Sequence, residues 1–139
     1  EVARLDHSFE RGLSQVSATY TRREDGKITV QNRGFKASSG KYKDATGKAK
    51  FADASDMGHL KVSFFGPFYG DYIIFDLDDA YSRAYVSGGK DNYLWLLSRT
   101  PTITQSVRDD FIAKSSALGY DTDNLIWVDQ SKDGAISTP

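Results

Sequence analysis

The chain of 139 residues contains no cysteine and only two histidines, His7 and His59, which excludes several kinds of site. Without cysteine there is no disulfide framework, no thiolate nucleophile and no cysteine-ligated metal site. Neither histidine lies in a nucleophile motif, and without cysteine a transition-metal site would need carboxylate ligands that the sequence does not assign. We therefore expect a protein without metal, cofactor or catalytic residues that is not an enzyme.

An excess of charge of one sign is also lacking, since 18 basic residues nearly balance 19 acidic residues and the net charge is −1. A nucleic-acid binder needs a basic surface that displaces counterions, so nucleic acid is not an expected partner. No apolar run approaches the ~18 residues that a membrane-spanning helix requires. Aromatic residues, in contrast, are frequent, with 8 Tyr, 8 Phe and 2 Trp. Such a composition suits β-barrels and ligand cavities.

Most of the chain alternates apolar and polar residues with a period of two, which predicts half-buried β-strands. The alternation is clear at Val16, Ala18 and Tyr20. After a hairpin signal at Asp25-Gly26, it resumes over residues 28–33. These features predict at least one antiparallel pair of strands near the start of the chain.

Two polar stretches predict loops, residues 36–46 and 53–56, with a short strand at residues 49–51 between them. Further strands are expected at residues 60–65, 72–77, 83–87, 93–97 and 125–128. The segments 72–77 and 93–97 are apolar on both faces, so both faces of these strands must be covered.

A single helix is predicted before the last strand. Thr102 and Gln105 have the spacing of a capping box, and Gly119 is placed to adopt the left-handed conformation that ends a helix. Between these signals, apolar residues recur at helical spacing: Ile103, Val107, Phe111 and Leu118. This stripe needs a partner, and the outer face of the two-sided apolar strands offers one.

Together with a stub at residues 1–6, the main segments give about eight strands in up-and-down order. The expected fold class is all-β: an eight-stranded antiparallel up-and-down barrel with one C-terminal α-helix packed on the outside. The barrel is expected to span residues 1–130 as a single domain, followed by a flexible tail at residues 131–139. A barrel of this size holds its own side chains or one small ligand.

Three segments resemble the bacterial lipocalin family of the outer-membrane lipoprotein type: residues 4–12, residues 62–72 and residues 93–103. The resemblance covers roughly residues 1–130. It implies a lipocalin barrel that binds, stores or transports a fatty acid or a lysophospholipid, with a role in membrane lipid maintenance or stress response. It also implies the periplasmic side of a bacterial outer membrane, with membrane association through a lipid anchor not present in this chain.

The short motifs of the family are partly matched. Asp79 and Tyr81 match the second motif loosely, and Arg99 matches the arginine that closes the last main strand. The first motif, Gly-x-Trp, would end just before Glu1, so we expect the first strand to be truncated at its start. Upstream residues are expected to supply the tryptophan that stacks on Arg99, together with the lipid-anchor cysteine.

The alternation and the family pattern together define an inward-facing set, which we expect to bind the ligand. Its members are Tyr20, Val30, Asn32, Val62, Phe64, Tyr72, Ile74, Tyr85, Tyr93, Trp95 and Leu97. The set is mostly apolar with a few hydroxyl and amide groups, the usual makeup of a small-ligand site. The alternative is that these side chains pack against one another and leave no cavity.

An aromatic loop around Gly66-Pro67 carries Phe65, Phe68 and Tyr69. Exposed apolar patches usually mark interaction sites, so this loop is a candidate lip for lipid entry or a homodimer contact. A loop folded back onto the barrel is an equal alternative.

Three other functions remain open beside that of a lipid carrier. A lipid-modifying enzyme on the same scaffold needs a polar constellation in the cavity, with Asp76 or Asn32 facing inward beside a tyrosine. A binder of a tetrapyrrole or another pigment needs a wider cavity of a different shape. A purely structural barrel fills its interior with its own side chains.

Overall fold

The computed structural model describes residues 1–6, 10–53, 56–65, 68–80, 82–88 and 93–131. Within this part the chain forms nine strands, one α-helix and one short 3₁₀ helix. The strands are β1 (Ala3–Arg4), β2 (Leu13–Arg22), β3 (Ile28–Lys36), β4 (Lys41–Asp53), β5 (Asp56–Phe65), β6 (Phe68–Leu77), β7 (Arg83–Ser87), β8 (Leu94–Ser98) and β9 (Ile126–Trp127). The helix α1 is Gln105–Ala117, and the 3₁₀ helix is Thr122–Asn124.

The nine strands form one antiparallel sheet in the order β2-β3-β4-β5-β6-β7-β8-β1-β9. The sheet curls until its two edges meet. At that point the Gln15 N–H donates to the Asp129 carbonyl at 2.7 Å, and the Gln130 side-chain amide donates to the Val16 carbonyl at 2.8 Å. The all-β, up-and-down class is confirmed, with nine strands rather than eight because the segment after the helix pairs with β1.

The β3–β4 hairpin is longer than the sequence predicts. A loop is expected over residues 36–46, but β3 continues to Lys36 and β4 begins at Lys41, which leaves a turn of four residues. The ladder pairs Lys36 with Lys41 and Gly34 with Lys43. The expectation was wrong because this part of β4 is mostly exposed, so backbone pairing holds it without an apolar face for the alternation to reveal.

The loop expected at residues 53–56 is also shorter than predicted. β4 ends at Asp53 and β5 begins at Asp56, and the register pairs these two residues. Residues 54 and 55 lie outside the described part of the chain.

Helix α1 covers the outer face of the sheet, as expected. Tyr85, Leu94, Leu96 and Phe111 are completely buried between the helix and strands β7 and β8. Ala3 on β1 joins them, and we call this cluster of five residues the outer core. In the described part of the chain, neither helix is long and apolar enough to cross a membrane.

The helix begins two residues later than the sequence predicts. Its N-cap is Thr104, whose hydroxyl accepts a hydrogen bond from the Val107 N–H at 3.3 Å. The Thr102 carbonyl instead accepts from the hydroxyl of Thr100 at 2.8 Å. Thr104 therefore satisfies a free N–H of the first turn, which is the role of an N-cap residue.

The C-terminal end of the helix agrees with the prediction at Gly119, whose φ of 95° ends the helix in the left-handed conformation. The Gly119 N–H donates to Ser116, and the Tyr120 N–H donates to Ser115, which completes a Schellman motif. The predicted stripe is wrong at Leu118, which is 58% exposed. Ser115 is buried in its place, one turn after Phe111.

Candidate ligand cavity

The concave side of the curled sheet encloses a cavity of about 630 Å³. Its volume lies within the range of small-molecule sites. Its apolar wall includes Val16, Ala18, Ile28, Phe51, Leu60, Ile74, Ala84 and Leu97. Strands from every part of the sheet contribute to this wall. The volume of the cavity shows that side chains do not fill the interior.

One end of the cavity is polar. It is lined by Ser82, Arg83, Ser98, Arg99 and Thr100, where β7 begins and β8 ends. The Arg99 N–H donates to the Ser82 carbonyl at 2.9 Å, which fixes these two segments together. The hydroxyl groups and the Arg99 guanidinium at this end can donate hydrogen bonds, whereas the remainder of the wall offers mainly dispersion contacts.

Two tyrosines meet across the barrel interior. The hydroxyl oxygens of Tyr20 on β2 and Tyr72 on β6 are 2.7 Å apart, and their rings meet edge to face at 6.4 Å. Three strands separate β2 from β6 in the sheet, so this contact exists only because the sheet curls. Burial of the hydroxyls raises the pKa of Tyr20 and raises that of Tyr72 further. Both phenols are therefore neutral at physiological pH.

The aromatic layer continues from Tyr72 toward the other end of the barrel. The ring of Trp95 stacks on Tyr72 at 6.3 Å, and Tyr93 lies 6.0 Å from Trp95. The Trp95 indole N–H donates to the carboxylate of Glu10 at 2.9 Å. Trp95 and Tyr93 thus extend the tyrosine pair into an aromatic wall with a polar contact at its far side.

Arg4 is a buried charged residue beside the aromatic wall that the sequence pattern did not single out. It is paired with Trp95 in the register and is only 2% exposed. Its guanidinium contacts the Glu1 carboxylate at 2.9 Å and donates to the carbonyls of Glu10 at 2.8 Å and Leu13 at 3.0 Å. Burial raises the pKa of the Glu1 carboxyl, and the neighbouring Glu10 raises it further. Strand alternation places Arg4 on the face opposite to Ala3 and Leu5, whose side chains face the outer core, but it does not reveal the partners of the guanidinium.

The structure brings several predicted ligand residues to the cavity. Tyr20, Tyr72, Ile74 and Leu97 line it, and so does the motif residue Arg99. Val30 and Val62 pack in an inner cluster around Ala49 and Leu60, and Asn32 is half-buried opposite Ala18. The alternation on β2, β3 and β8 therefore assigns the faces of these strands in agreement with the structure.

Tyr85 is not a cavity residue, and its predicted placement was wrong. It pairs with Leu96 on the outer face, packs edge-on against Phe111 at 5.0 Å and donates from its hydroxyl to Asp110 at 2.8 Å. The register decides this face, because cross-strand partners share a side of the sheet. Its neighbour Ala84 lines the cavity instead.

Asp76 also faces outward. It is the partner of Tyr85 in the register and forms ion pairs with Arg83 and Lys114, the latter on helix α1. An Asp76 facing the cavity would have favoured a lipid-modifying enzyme. Because Asp76 lies on the outer face, it gives no support to that alternative.

The remaining predicted residues are exposed or lie outside the described part of the structure. Asp79 is an exposed turn residue, and Asp78 organises that turn by accepting hydrogen bonds from the N–H groups of Ser82 and Arg83. Outside the described residues or side chains are Tyr81 and the side chains of Phe64, Phe65, Phe68 and Tyr69.

Comparisons with known proteins agree with this geometry. Residues 1–130 match a family model described as a lipocalin-like domain. The chain is 59% identical over 131 residues to the outer membrane lipoprotein Blc of Vibrio cholerae. The aligned residues cover 94% of this chain and 77% of that protein. It is 48% identical over 130 residues to the Blc protein of Escherichia coli K12, covering 94% of this chain and 73% of that one.

Sequence and structure comparisons also match more distant proteins. Temperature-induced lipocalin-1 of Arabidopsis thaliana is 35% identical over 140 residues, covering 94% of this chain and 74% of that protein. The solved structure of apocrustacyanin C2 superposes with a TM-score of 0.73 at 14% identity, over 95% of this chain and 75% of that one. The cockroach allergen Per a 4 superposes with a TM-score of 0.71 at 19% identity, over 94% of this chain and 82% of that one. At these identities the two structures establish the fold alone.

Proposed function

The chain belongs to the lipocalin family, and from that premise we propose that it binds a fatty acid or a lysophospholipid inside its barrel. The observation that carries the proposal is the cavity of about 630 Å³ with an apolar wall and a polar end. Burial of each CH₂ group is worth about 0.8 kcal/mol, so ten of them contribute roughly 8 kcal/mol before the cost of association. A lipid with a single acyl chain can therefore bind through apolar contacts, without any contact between the protein and its charged head group.

The tyrosine pair supplies a hydrogen bond for the polar part of such a lipid. Two phenols offer two O–H donors, and the bond between Tyr20 and Tyr72 uses one of them. One donor remains for an acceptor in the cavity, such as the carboxyl oxygen of a fatty acid or the ester carbonyl of a lysophospholipid. Because both phenols are neutral, the remaining O–H can donate to an acceptor group whether or not that group is charged.

The proposed role is carriage or storage rather than catalysis. The outward position of Asp76 and its ion pairs with Arg83 and Lys114 support this part of the proposal. Two relatives are named outer membrane lipoproteins, which supports a location on the periplasmic side of a bacterial outer membrane. A role in membrane lipid maintenance or stress response is consistent with that location.

Native mass spectrometry of the purified chain, with organic extraction of bound molecules, tests the proposal. We expect a fatty acid or lysophospholipid to co-purify or to be taken up from a lipid mixture. Ala18→Phe fills part of the cavity and should weaken uptake by about tenfold or more, the equivalent of losing two buried CH₂ groups. Gln31→Phe adds the same ring at an exposed site and serves as the matched control.

Both variants must first show the circular dichroism spectrum of the parent chain. A parent protein that stays free of lipid in the mixture would overturn the proposal, as would equal uptake by both variants. A coloured preparation with a bound pigment would replace the lipid with a tetrapyrrole or a related molecule.

A further inference from the structure

The charges of this chain are strongly segregated, although their sum is close to zero. Residues 33–50, which we call the basic hairpin, contain six of the 18 basic residues and one of the 19 acidic residues. The basic hairpin therefore has a net charge of +5, and the rest of the chain has a net charge of −6. A charge difference of this kind orients a protein in an electric field or at a charged surface.

All the basic side chains of this segment are exposed: Arg33, Lys36, Lys41, Lys43, Lys48 and Lys50. Strand alternation divides them between the two faces of the hairpin. Lys36, Lys41 and Lys43 lie on the same face as the inward-facing Val30, at the end of the barrel where the hairpin turns. We call these three residues the turn-end lysines.

The turn-end lysines carry uncompensated charge. Among the side chains that the structure describes, no carboxylate lies within ion-pair distance of Lys36, Lys41 or Lys43. Arg33 on the opposite face differs, because it pairs with Asp44 at 3.5 Å and lies over the Tyr42 ring at 4.3 Å. The hairpin thus places its free positive charge at the turn end of the barrel.

An aromatic pair lies at the same end of the hairpin, on the face opposite to these lysines. Phe35 and Tyr42 are cross-strand partners whose rings meet edge to face at 5.3 Å, and both are half-buried. A segment end that carries both aromatic rings and ammonium groups suits the boundary between lipid head groups and acyl chains.

We propose that the basic hairpin docks this protein onto an anionic phospholipid surface through Lys36, Lys41 and Lys43. Five of the six basic residues are lysines, which act as point charges on flexible stems rather than as the planar forks that hold phosphates in nucleic-acid grooves. A planar anionic membrane satisfies several separated ammonium groups at once, and the acidic remainder of the chain is repelled from it. The docked protein presents its turn end to the bilayer. This inference does not depend on which molecule the cavity holds.

Co-sedimentation with phospholipid vesicles tests the docking surface. We expect the parent chain to bind vesicles of phosphatidylglycerol mixed with phosphatidylcholine, and to bind pure phosphatidylcholine vesicles far more weakly. Each lysine near an anionic surface is worth about fivefold in affinity, so K36Q/K41Q/K43Q should lose on the order of 100-fold. Added salt should weaken binding of the parent chain steeply.

The matched control removes the same charge at the opposite end of the barrel. R22Q/R23Q/K27Q changes the turn between β2 and β3 and should bind anionic vesicles nearly as well as the parent chain. Thermal unfolding and uptake of a fluorescent fatty acid by all three proteins separate a docking defect from a folding or cavity defect.

Three results would overturn the docking proposal. The first is equal affinity of the parent chain for neutral and anionic vesicles, and the second is an equal loss in the two triple variants. The third is binding of a DNA duplex as strong as that of anionic vesicles, which would identify a general polyanion patch rather than a membrane-docking surface.

Discussion

The hydroxyl oxygens of Tyr20 and Tyr72 lie 2.7 Å apart although 52 residues separate them in the sequence. This contact joins strands β2 and β6 through the interior of the barrel. The contact therefore depends on the curvature of the barrel, and both residues line the cavity. It can be removed by deleting a single oxygen atom.

Tyr72→Phe removes that oxygen and keeps the ring that stacks on Trp95. The pair then offers one phenol in place of two, and the hydrogen bond between them is lost. The remaining Tyr20 hydroxyl is then no longer held in place by its partner. Its hydrogen bond to the lipid acceptor, worth about 1 kcal/mol, should weaken, and we expect affinity for a fatty acid to fall by up to about fivefold. Displacement of a fluorescent fatty acid at neutral pH measures the change.

Tyr42→Phe is the control for this substitution, since it removes a phenol oxygen on the hairpin, away from the cavity. Its fatty-acid affinity should equal that of the parent chain. If Tyr72→Phe also binds as tightly as the parent, the tyrosine pair is structural only and makes no contact with the ligand.

The outer core provides a test of the helix packing. Phe111 is completely buried against Tyr85, whereas Leu118, predicted for the same stripe, is 58% exposed. Phe111→Ala should lower the free energy of unfolding by about 3–5 kcal/mol because it leaves a cavity in a packed core. Leu118→Ala should change it by less than about 0.5 kcal/mol. Urea denaturation followed by circular dichroism gives both values, and similar values for the two would contradict this placement of the helix.

The sequence predicts the faces of most strands because polar and apolar residues alternate along them. Trp95 and Leu97 are inward, and Leu94 and Leu96 lie under the helix or on the outer face, as the alternation and the two-sided apolar pattern of β8 predict. Tyr85 could not be assigned in this way. Its neighbours Ala84 and Val86 are also apolar, so only the pairing with β8 determines its face.

Two other features required long-range information. The exposed half of β4 has no apolar face, so it was indistinguishable from a loop until its pairing with β3 was known. Arg4 is buried with its guanidinium bonded to Glu1 and to the carbonyls of Glu10 and Leu13, partners that only the fold brings together. A buried charge depends on such partners, and local sequence patterns do not reveal them.

The contact between Tyr85 and Asp110 predicts a pH-dependent contribution to stability. The Tyr85 hydroxyl donates to the Asp110 carboxylate at 2.8 Å, and Lys114 lies 3.3 Å from the same oxygen. The hydrogen bond from Tyr85, followed by the charge of Lys114, lowers the pKa of Asp110. A carboxyl with a lowered pKa in the folded state stabilises the fold above its unfolded pKa, and it loses that contribution as the pH falls through the folded pKa.

Asp110→Asn removes the charge and keeps an oxygen that can accept from Tyr85, so it isolates this effect. At neutral pH the variant should be less stable than the parent chain, by less than about 1 kcal/mol because the Asp110 side chain is 40% exposed. The difference should vanish in acid, once the carboxyl is protonated in both the folded and unfolded chains. Asp109→Asn makes the same charge change one residue earlier, where the carboxylate accepts from the neutral Gln105 amide, and serves as the control for the change in net charge. Urea denaturation of the three proteins across the acid range measures these differences, and a constant deficit for Asp110→Asn at every pH would show that the lost interaction is not that of the ionised carboxylate.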